Sequence, residues 1–187
     1  MALIEFSSIA LGTRASDAML KKATVSLLRA GTVQPGKYVI LLVGQVAAVD
    51  ESYLEGLRVG AEAILDRVFL PEVAEAVHAA VMGRRGDWSA DTLGVIETAT
   101  LAATIEAADA AVKGANVEMV QIRLGDGLHG KGLAHFAGSQ ADVEAAIQIG
   151  SERIAYKNQQ VLTAVIPRLA GDLRSVLSQS TFFEEGD

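Results

Sequence analysis

The sequence predicts an α/β fold, an α+β sandwich in which helices pack on a sheet, formed twice in one chain. Three observations predict it. The chain has 187 residues, half of them apolar and 21% charged, which is enough to bury a sizeable core. Several segments reappear later in the chain in the same order. Within each copy, the apolar period alternates between that of a strand and that of a helix.

The repeat involves both apolar residues and the residues that mark turns. The matching pairs are 3–9 with 95–101 and 17–25 with 109–117 at a shift of 92, Gly36-Lys37 with Gly130-Lys131 at 94, and Pro71 with Pro167 at 96. The small drift in the shift is typical of short loop insertions between two copies of one domain. We therefore predict a first domain at residues 1–83, an exposed glycine- and charge-rich linker at 84–91, and a second domain with a C-terminal tail at 92–187.

The first two elements of each copy are a short strand and an amphipathic helix. Residues 3–6 and 93–97 are the strand-like runs that begin each repeat. In the second copy, apolar residues then recur at spacings of four, three and four. This spacing predicts a helix with one apolar face, formed by Leu101, Ile105, Ala108 and Val112. The first copy has weaker apolar residues in the same phase.

The remaining elements complete the domain. Residues 117–124 alternate apolar and polar, as in a strand with one covered face, and 38–43 are continuously apolar, as in a central strand covered on both faces. A second helix at 47–63 and 141–154, a strand that ends at the proline and a short terminal helix follow. The predicted order is β-α-β-β-α-β-α in each copy.

The composition argues against several classes of function. A net charge of −7 argues against a nucleic-acid partner, because phosphate backbones attract basic surfaces. The chain has no cysteine, which removes disulfides, thiolate metal clusters and cysteine nucleophiles. The N-terminal residues show no signal-peptide pattern, and the longest apolar run, 38–44, is short of the roughly 20 residues that a membrane span needs. We therefore expect a cytoplasmic protein without a nucleic-acid or membrane partner.

Two glycine-rich segments have the spelling of phosphate-binding loops. Residues 125–130 read G-x-G-x-x-G, and both 31–37 and 125–131 read G-x-x-x-x-G-K. Such loops bind phosphate only where they begin a helix, whose N-terminal N–H groups converge on the anion. Here each loop precedes a predicted strand, so we predict turns between strands and no nucleotide site.

The ionisable side chains form no catalytic pattern. The histidines at 78, 129 and 135 match no metal-binding spacing, and His135 is predicted to be a partly buried, hydrogen-bonded strand residue. Glu5 and Glu97 occupy equivalent strand ends, which indicates a structural role in both copies. No nucleophile, base and oxyanion donors can be grouped, so the sequence gives no reason to predict an enzyme.

The whole pattern resembles the bacterial microcompartment (BMC) shell domain. The resemblance is carried by Ile-Glu before the first helix, Asp-Ala-x-x-Lys-x-Ala-x-Val within it, Gly-Lys in the hairpin loop and Ile-Pro-Arg after the fourth strand. Two copies in one chain resemble the tandem-domain shell proteins that trimerise into pseudohexamers, most of all the tandem subunit of propanediol-type microcompartments. The resemblance extends from Leu3 to about Arg168.

The resemblance implies a set of residues at the edge of the tile. In shell domains, the first-helix lysine lies at the edge and packs against its symmetry mate, and the arginine after the fourth-strand proline reaches across the same edge. The implied tile-edge residues are Lys21, Lys113, Asn116 and Arg168. In the first copy Pro71 is followed by Glu72, so one of the two edge types lacks its arginine.

The resemblance also implies a pore at the trimer axis, lined by the loops between the second and third strands. These pore loops contain Thr32, Val33, Gln34, Pro35 and Gly36, and Asp126, Gly127, Leu128, His129 and Gly130. In the propanediol-type relative, the residue before Pro-Gly-Lys is a cysteine that binds an iron–sulfur cluster. Gln34 stands there in this chain, so we expect no cluster and no other cofactor. Three His129 imidazoles at the axis either bind a divalent metal or remain hydrated.

The preferred function is a non-catalytic shell subunit, a homotrimeric pseudohexameric tile with a central pore for small metabolites. Its expected partners are its own copies, other shell proteins and the encapsulated enzymes, at a microcompartment shell in the cytoplasm. A trimeric small-molecule-binding regulatory protein and an uncatalogued enzyme are the alternatives, because fold by itself does not fix function.

Overall fold

The chain forms the predicted element order twice. The computed structural model describes residues 1–125 and 127–179. The first domain contains β1 (Ala2–Phe6), α1 (Ile9–Lys22), β2 (Leu27–Val33), β3 (Lys37–Val43), α2 (Val46–Gly60), β4 (Ile64–Phe69) and α3 (Glu75–Val81). The second contains β5 (Thr92–Thr98), α4 (Leu101–Gly114), β6 (Glu118–Leu124), β7 (Gly132–Gly138), α5 (Gln140–Arg153), β8 (Val161–Ile166) and α6 (Gly171–Gln179). A single 3₁₀ turn follows α2 and another follows α5.

The two sheets have the same topology. Their strand orders are β2-β3-β1-β4 and β6-β7-β5-β8, and every adjacent pair is antiparallel. The registers also correspond, since Glu5 lies opposite Asp66 and Glu97 lies opposite Leu162. The duplication predicted from the sequence is therefore a duplication of structure. Residues at equivalent positions of the two domains are called counterparts below; they are 92 positions apart in the first strand and helix, 94 from the hairpin loop to the turn after the second helix, and 96 in the last strand and helix.

The first helix of each domain begins at the same place. Ser8 caps α1 with its hydroxyl, which accepts a hydrogen bond from the Leu11 N–H, and Thr100 caps α4 in the same way through the Ala103 N–H. These N-caps are 92 positions apart, so the alignment of counterparts holds at the two helix starts.

The space between the first helix and the sheet is filled by different side chains in the two domains. In the first domain, Tyr38 on β3 packs against Gly12 of α1, where an added Cβ would lie 2.4 Å from the tyrosine ring. In the second domain the sizes are exchanged. Thr104 of α4 packs against Gly132 of β7, where a Cβ would lie 1.7 Å from the threonine hydroxyl. The exchange keeps each helix at the packing distance that its sheet requires.

One hydrophobic cluster extends across both domains. Ile40 and Leu42 of β3 pack against the helices of their own domain, whereas Leu41 belongs to a cluster with Leu101 and other residues of the second domain. Strand β3 is thus covered on both faces, as predicted. Helix α3 completes this contact by packing against β6 and α4.

The predicted linker is not an exposed tether. Trp88 is 8% exposed and packs with Leu93 and Val120 of the second domain. The Gly86 N–H donates to the Val120 carbonyl. The expectation of an exposed linker was therefore wrong at these positions. The linker folds against the second domain because burial of the large apolar surface of the Trp88 indole stabilises the protein. The predicted domain boundaries remain a prediction, and part of the predicted C-terminal tail, residues 180–187, lies outside the described residues.

Candidate functional site

A glutamate and a lysine of the first domain connect it to the second. The completely buried Glu5 accepts a hydrogen bond from the Ala102 N–H at 2.8 Å, and its other oxygen lies 3.2 Å from the Lys37 ammonium. Lys37 also donates to the carbonyls of Ala99 at 3.2 Å and Gly130 at 3.0 Å. Burial raises the pKa of Glu5, although the Ala102 N–H and Lys37 act in the opposite direction. Glu5 is therefore structural, as predicted.

A second polar group lies beside this contact. The Lys157 ammonium lies 2.5 Å from Asp66 of β4 and 3.4 Å from Glu106 of α4, and all three side chains are nearly buried. Burial favours a higher pKa for Asp66, but hydrogen bonds from Lys157 and Thr100 outweigh it and hold that pKa below its usual value. This ion-pair group fixes the edge of the first sheet to the second domain.

Helices α1 and α4 are counterparts, yet α4 is much more buried. Ten of the 14 residues of α4 are buried, against four of 14 in α1. The first domain covers α4 with β4 and α3, whereas the main contacts of α1 among the described residues are with its own domain. Leu101 is 1% exposed and its counterpart Ile9 is 44% exposed. The outer face of α1 is therefore equivalent to the face of α4 that the first domain covers, but it is itself uncovered.

The last strand and last helix of the second domain show the complementary difference. Asp66 on β4 is almost buried at the domain contact, but its counterpart Leu162 on β8 is 50% exposed. Helix α3 has three buried apolar residues, Val77, Ala80 and Val81. Their counterparts on α6 are Leu173, Val176 and Leu177, and the first two are exposed. The surfaces of α4, β4 and α3 that join the two domains are thus covered within the chain, whereas the equivalent surfaces of α1, β8 and α6 are uncovered.

The two predicted pore loops touch each other. An added Cβ at Gly125 would lie 2.2 Å from the Val33 side chain, and one at Gly130 would lie 2.7 Å from the Gln34 carbonyl. The loops connect strands and begin no helix, as expected from their sequence. Most of their residues are exposed, namely Thr32, Gln34, Pro35, Gly36, Gly127 and His129, while Leu128 is half-buried. The predicted pore residue Asp126 lies outside the described residues.

The predicted edge residues lie at the ends of α1, α4 and β8. Lys21 is exposed and lies 2.6 Å from Asp17, one helical turn away. Lys113 lies 2.6 Å from Asp109 and also donates to the Glu72 carbonyl of the first domain. Asn116 and Arg168 are exposed, and Arg168 has a positive φ of 51°. Lys113 therefore contacts both domains, whereas the ion pair of the exposed Lys21 lies within α1.

His135 differs from its predicted environment. It is 5% exposed, its Nδ1 atom has no hydrogen-bond partner, and its ring lies 5.5 Å from that of Trp88. The prediction of a partly buried histidine is wrong because the linker indole covers this side of the sheet, and the predicted hydrogen bond is absent at Nδ1. Burial lowers the pKa of His135 from 6.5 to about 4, and the charges of Arg123 and Arg85 act in the same direction.

We expect His135 to make stability fall in mild acid. Its pKa is lower in the folded than in the unfolded chain, so its contribution is complete above about pH 6.5 and is lost as the pH falls towards 4. The full loss corresponds to about 3 kcal/mol. Urea unfolding at fixed chain concentration should show that the free energy of unfolding of the wild type declines more steeply between pH 7 and 4 than that of His135→Leu. This variant introduces the residue that the first domain has at the counterpart Leu41. Parallel declines would contradict this prediction.

Comparison with known proteins identifies the family. The BMC domain model matches residues 1–73 and 92–169, once in each half of the chain. The chain belongs to the BMC domain family. Both BMC domains include the first six elements that the structure shows in each half, from the first strand to the last.

The relatives of this BMC protein are shell proteins. The bacterial microcompartment shell protein PduT of Citrobacter freundii is 37% identical over 166 residues, which cover 89% of this chain and 90% of PduT. EutM, a shell protein of Salmonella typhimurium, is 40% identical over 87 residues, or 46% of this chain and 88% of EutM. This chain is thus a structural shell protein and not an enzyme, as predicted.

The solved structures agree with the duplicated fold. A microcompartment protein from Desulfitobacterium hafniense DCB is 39% identical, has a TM-score of 0.81, and the match covers 93% of this chain and 97% of that one. The fused permuted hexameric shell protein MSM0275 has a TM-score of 0.60 at 22% identity, which supports the fold alone. Among the described residues, no helix is long and apolar enough to cross a membrane. Within a single copy of residues 1–125 and 127–179, no three histidine or carboxylate side chains are grouped to hold a metal.

Sequence reasoning missed the residues that join the domains. Lys37, Asp66 and Lys157 were not singled out for this role, although they make the polar contacts between the two halves. One signal was present, because the Gly-Lys pair and the strand-end glutamate both recur in the repeat. No sequence signal pointed to Asp66 and Lys157, whose counterparts are Leu162 and Ala63.

Proposed function

We propose that this shell protein assembles as a homotrimer, a ring of six BMC domains around a central pore. One observation carries the proposal: the uncovered surfaces of α1, β8 and α6 are counterparts of the surfaces that join the two domains inside the chain. A second copy would cover them by repeating the same contact. Such a head-to-tail contact generates a closed ring when its rotation closes.

The proposed pore is formed by six loops that alternate around the axis. Gly130 and Gln34 bring the two loops together inside one chain, and the ring would repeat that contact between chains. The exposed polar side chains of the first loop are those of Gln34 and Thr32, which suit polar metabolites. We propose that the pore holds no iron–sulfur cluster, since amides do not replace thiolate ligands. An iron–sulfur signal in electron paramagnetic resonance of anaerobically purified protein would contradict this.

The tile would join other tiles at its edges. Lys21, Lys113, Asn116 and Arg168 are the edge residues in this proposal, and Lys21 and Arg168 present exposed cationic side chains. Each edge contact is individually weak, but a tile held on six sides leaves only when all its contacts break together. The partners would be other shell proteins of a bacterial microcompartment and, on the inner side, encapsulated enzymes.

Electron microscopy of concentrated protein tests this function. The wild-type chain should form sheets or tubes with a regular repeat, and Lys21→Ala should form fewer while remaining trimeric. Lys22→Ala is the matched control, because Lys22 is the adjacent exposed lysine and its counterpart is Gly114. Discrete particles from the wild-type chain, whose stability changes with a small molecule, would favour a regulatory trimer. Normal sheets from Lys21→Ala would refute the assignment of that edge.

A further inference from the structure

The ion pair of the first domain is present again in the second. Lys131 lies 2.7 Å from Glu97, and these residues are the counterparts of Lys37 and Glu5. The two pairs differ in exposure. The side chains of Glu5 and Lys37 are 0% and 15% exposed, whereas those of Glu97 and Lys131 are 34% and 52% exposed. The second pair is thus formed on an exposed surface of the second domain, and the equivalent surface of the first domain is covered by the domain contact.

The first pair shows what such a pair binds. Glu5 accepts from the Ala102 N–H in the first turn of α4, where the positive end of the helix dipole also favours a carboxylate. Lys37 donates to the Ala99 carbonyl just before that helix and to the Gly130 carbonyl in the pore loop. One carboxylate and one ammonium therefore fix a helix start and a pore loop of the adjoining domain together.

The same backbone groups exist on the first domain. The counterparts of Ala99 and Ala102 are Ser7 and Ala10, and the counterpart of Gly130 is Gly36. The shared N-cap position of Ser8 and Thr100 shows that α1 and α4 begin in the same register. Ala10 is exposed in the first turn of α1, and Gly36 is exposed in the first pore loop.

We propose that Glu97 and Lys131 form a clamp that binds the first domain of a second copy of this chain. Glu97 accepts a hydrogen bond from the Ala10 N–H of that copy, and Lys131 donates to its Ser7 and Gly36 carbonyls. Charge-assisted hydrogen bonds of this kind are stronger than those between neutral groups. Because Gly36 lies in the pore loop, the clamp also fixes the position of the loops between chains. This inference rests on the proposed trimer and names the groups that close it.

Dissociation of the trimer on dilution tests the clamp. Lys131→Met removes the ammonium and keeps most of the aliphatic chain, and Glu97→Gln removes the charge at nearly constant size. Each should raise the concentration at which half the chains are trimeric by at least about tenfold, as expected when charge-assisted hydrogen bonds are lost. Mass photometry over a dilution series measures this, and circular dichroism checks that each variant is folded. Lys22→Met is the control with an exposed lysine outside the proposed clamp.

The outcomes separate the clamp from the ring. If the wild type and Lys22→Met are trimeric and both clamp variants dissociate more readily, the clamp is supported. If folded Lys131→Met and Glu97→Gln dissociate at the same concentration as the control, the clamp is refuted and the ring is retained. A wild-type chain that is monomeric at every concentration would overturn the proposed ring and the clamp with it.

Discussion

Leu162→Lys should convert the trimer into folded monomers. Leu162 is half exposed on β8, and its counterpart Asp66 is almost buried at the domain contact, so the ring would bury this position against α1 of the next chain. In the equivalent contact within the chain, β4 lies against α4, and the counterpart of its Glu106 is Arg14. A lysine at 162 would thus be desolvated beside a second cation and without a carboxylate partner, which is strongly unfavourable.

Sedimentation velocity at micromolar chain concentration measures this effect. Leu54→Lys is the matched control, because Leu54 is also an exposed leucine, on the outer side of α2, and its counterpart Gln148 is exposed as well. The control should sediment as the wild type does. A folded Leu162→Lys variant that stays trimeric would show that β8 does not lie in the contact between chains.

Lys157→Met should lower the free energy of unfolding by about 3 kcal/mol at pH 7. The Lys157 side chain is 6% exposed, and its ammonium pairs with Asp66 and Glu106, which are themselves almost buried. Glu106 also pairs with Arg153, at 3.0 Å. Removing the cation leaves two desolvated carboxylates close to one another. Glu106 keeps its ion pair with Arg153, so the cost falls mainly on Asp66, which loses the Lys157 ammonium and keeps hydrogen bonds only to neutral groups such as Thr100.

Urea unfolding of both chains at one fixed concentration measures the loss. The difference between them should shrink at low pH. In the wild type, Lys157 keeps the pKa of Asp66 below its usual value of 3.8, so the stability from this pair is present above that pH and is lost as the pH falls through the lowered pKa. In the variant the carboxylates protonate sooner, which relieves their repulsion. A loss below about 1 kcal/mol at pH 7, or a difference that grows in acid, would contradict this account.

The fold was predictable because the signals agree locally and then recur. The stripe from Leu101 to Val112 and the apolar run at 38–43 each indicated one element, and the repeat doubled the weight of both. The weak stripe of α1 was harder to interpret. Its face is less apolar than that of α4 because only α4 is covered on both sides within the chain, a difference that depends on how the domains pack.

The contacts between the domains were less predictable. The structural role predicted for Glu5 is confirmed, since this strand end recurs in both copies and such recurrence indicates architecture. Asp66 and Lys157 lie 91 positions apart in the chain and have apolar counterparts, so neither spacing nor repetition indicated their pairing. The full burial of His135 was not predictable either, because the position of Trp88 against the sheet is set by tertiary packing of the linker.

The mass of the wild-type chain in solution tests the central claim most directly. Native mass spectrometry at micromolar concentration should show one species with three times the chain mass of 19.6 kDa. That result is expected because only a closed ring covers α1, β8 and α6 in every copy at once. A species with the mass of a single chain, unchanged on concentration, would contradict the account.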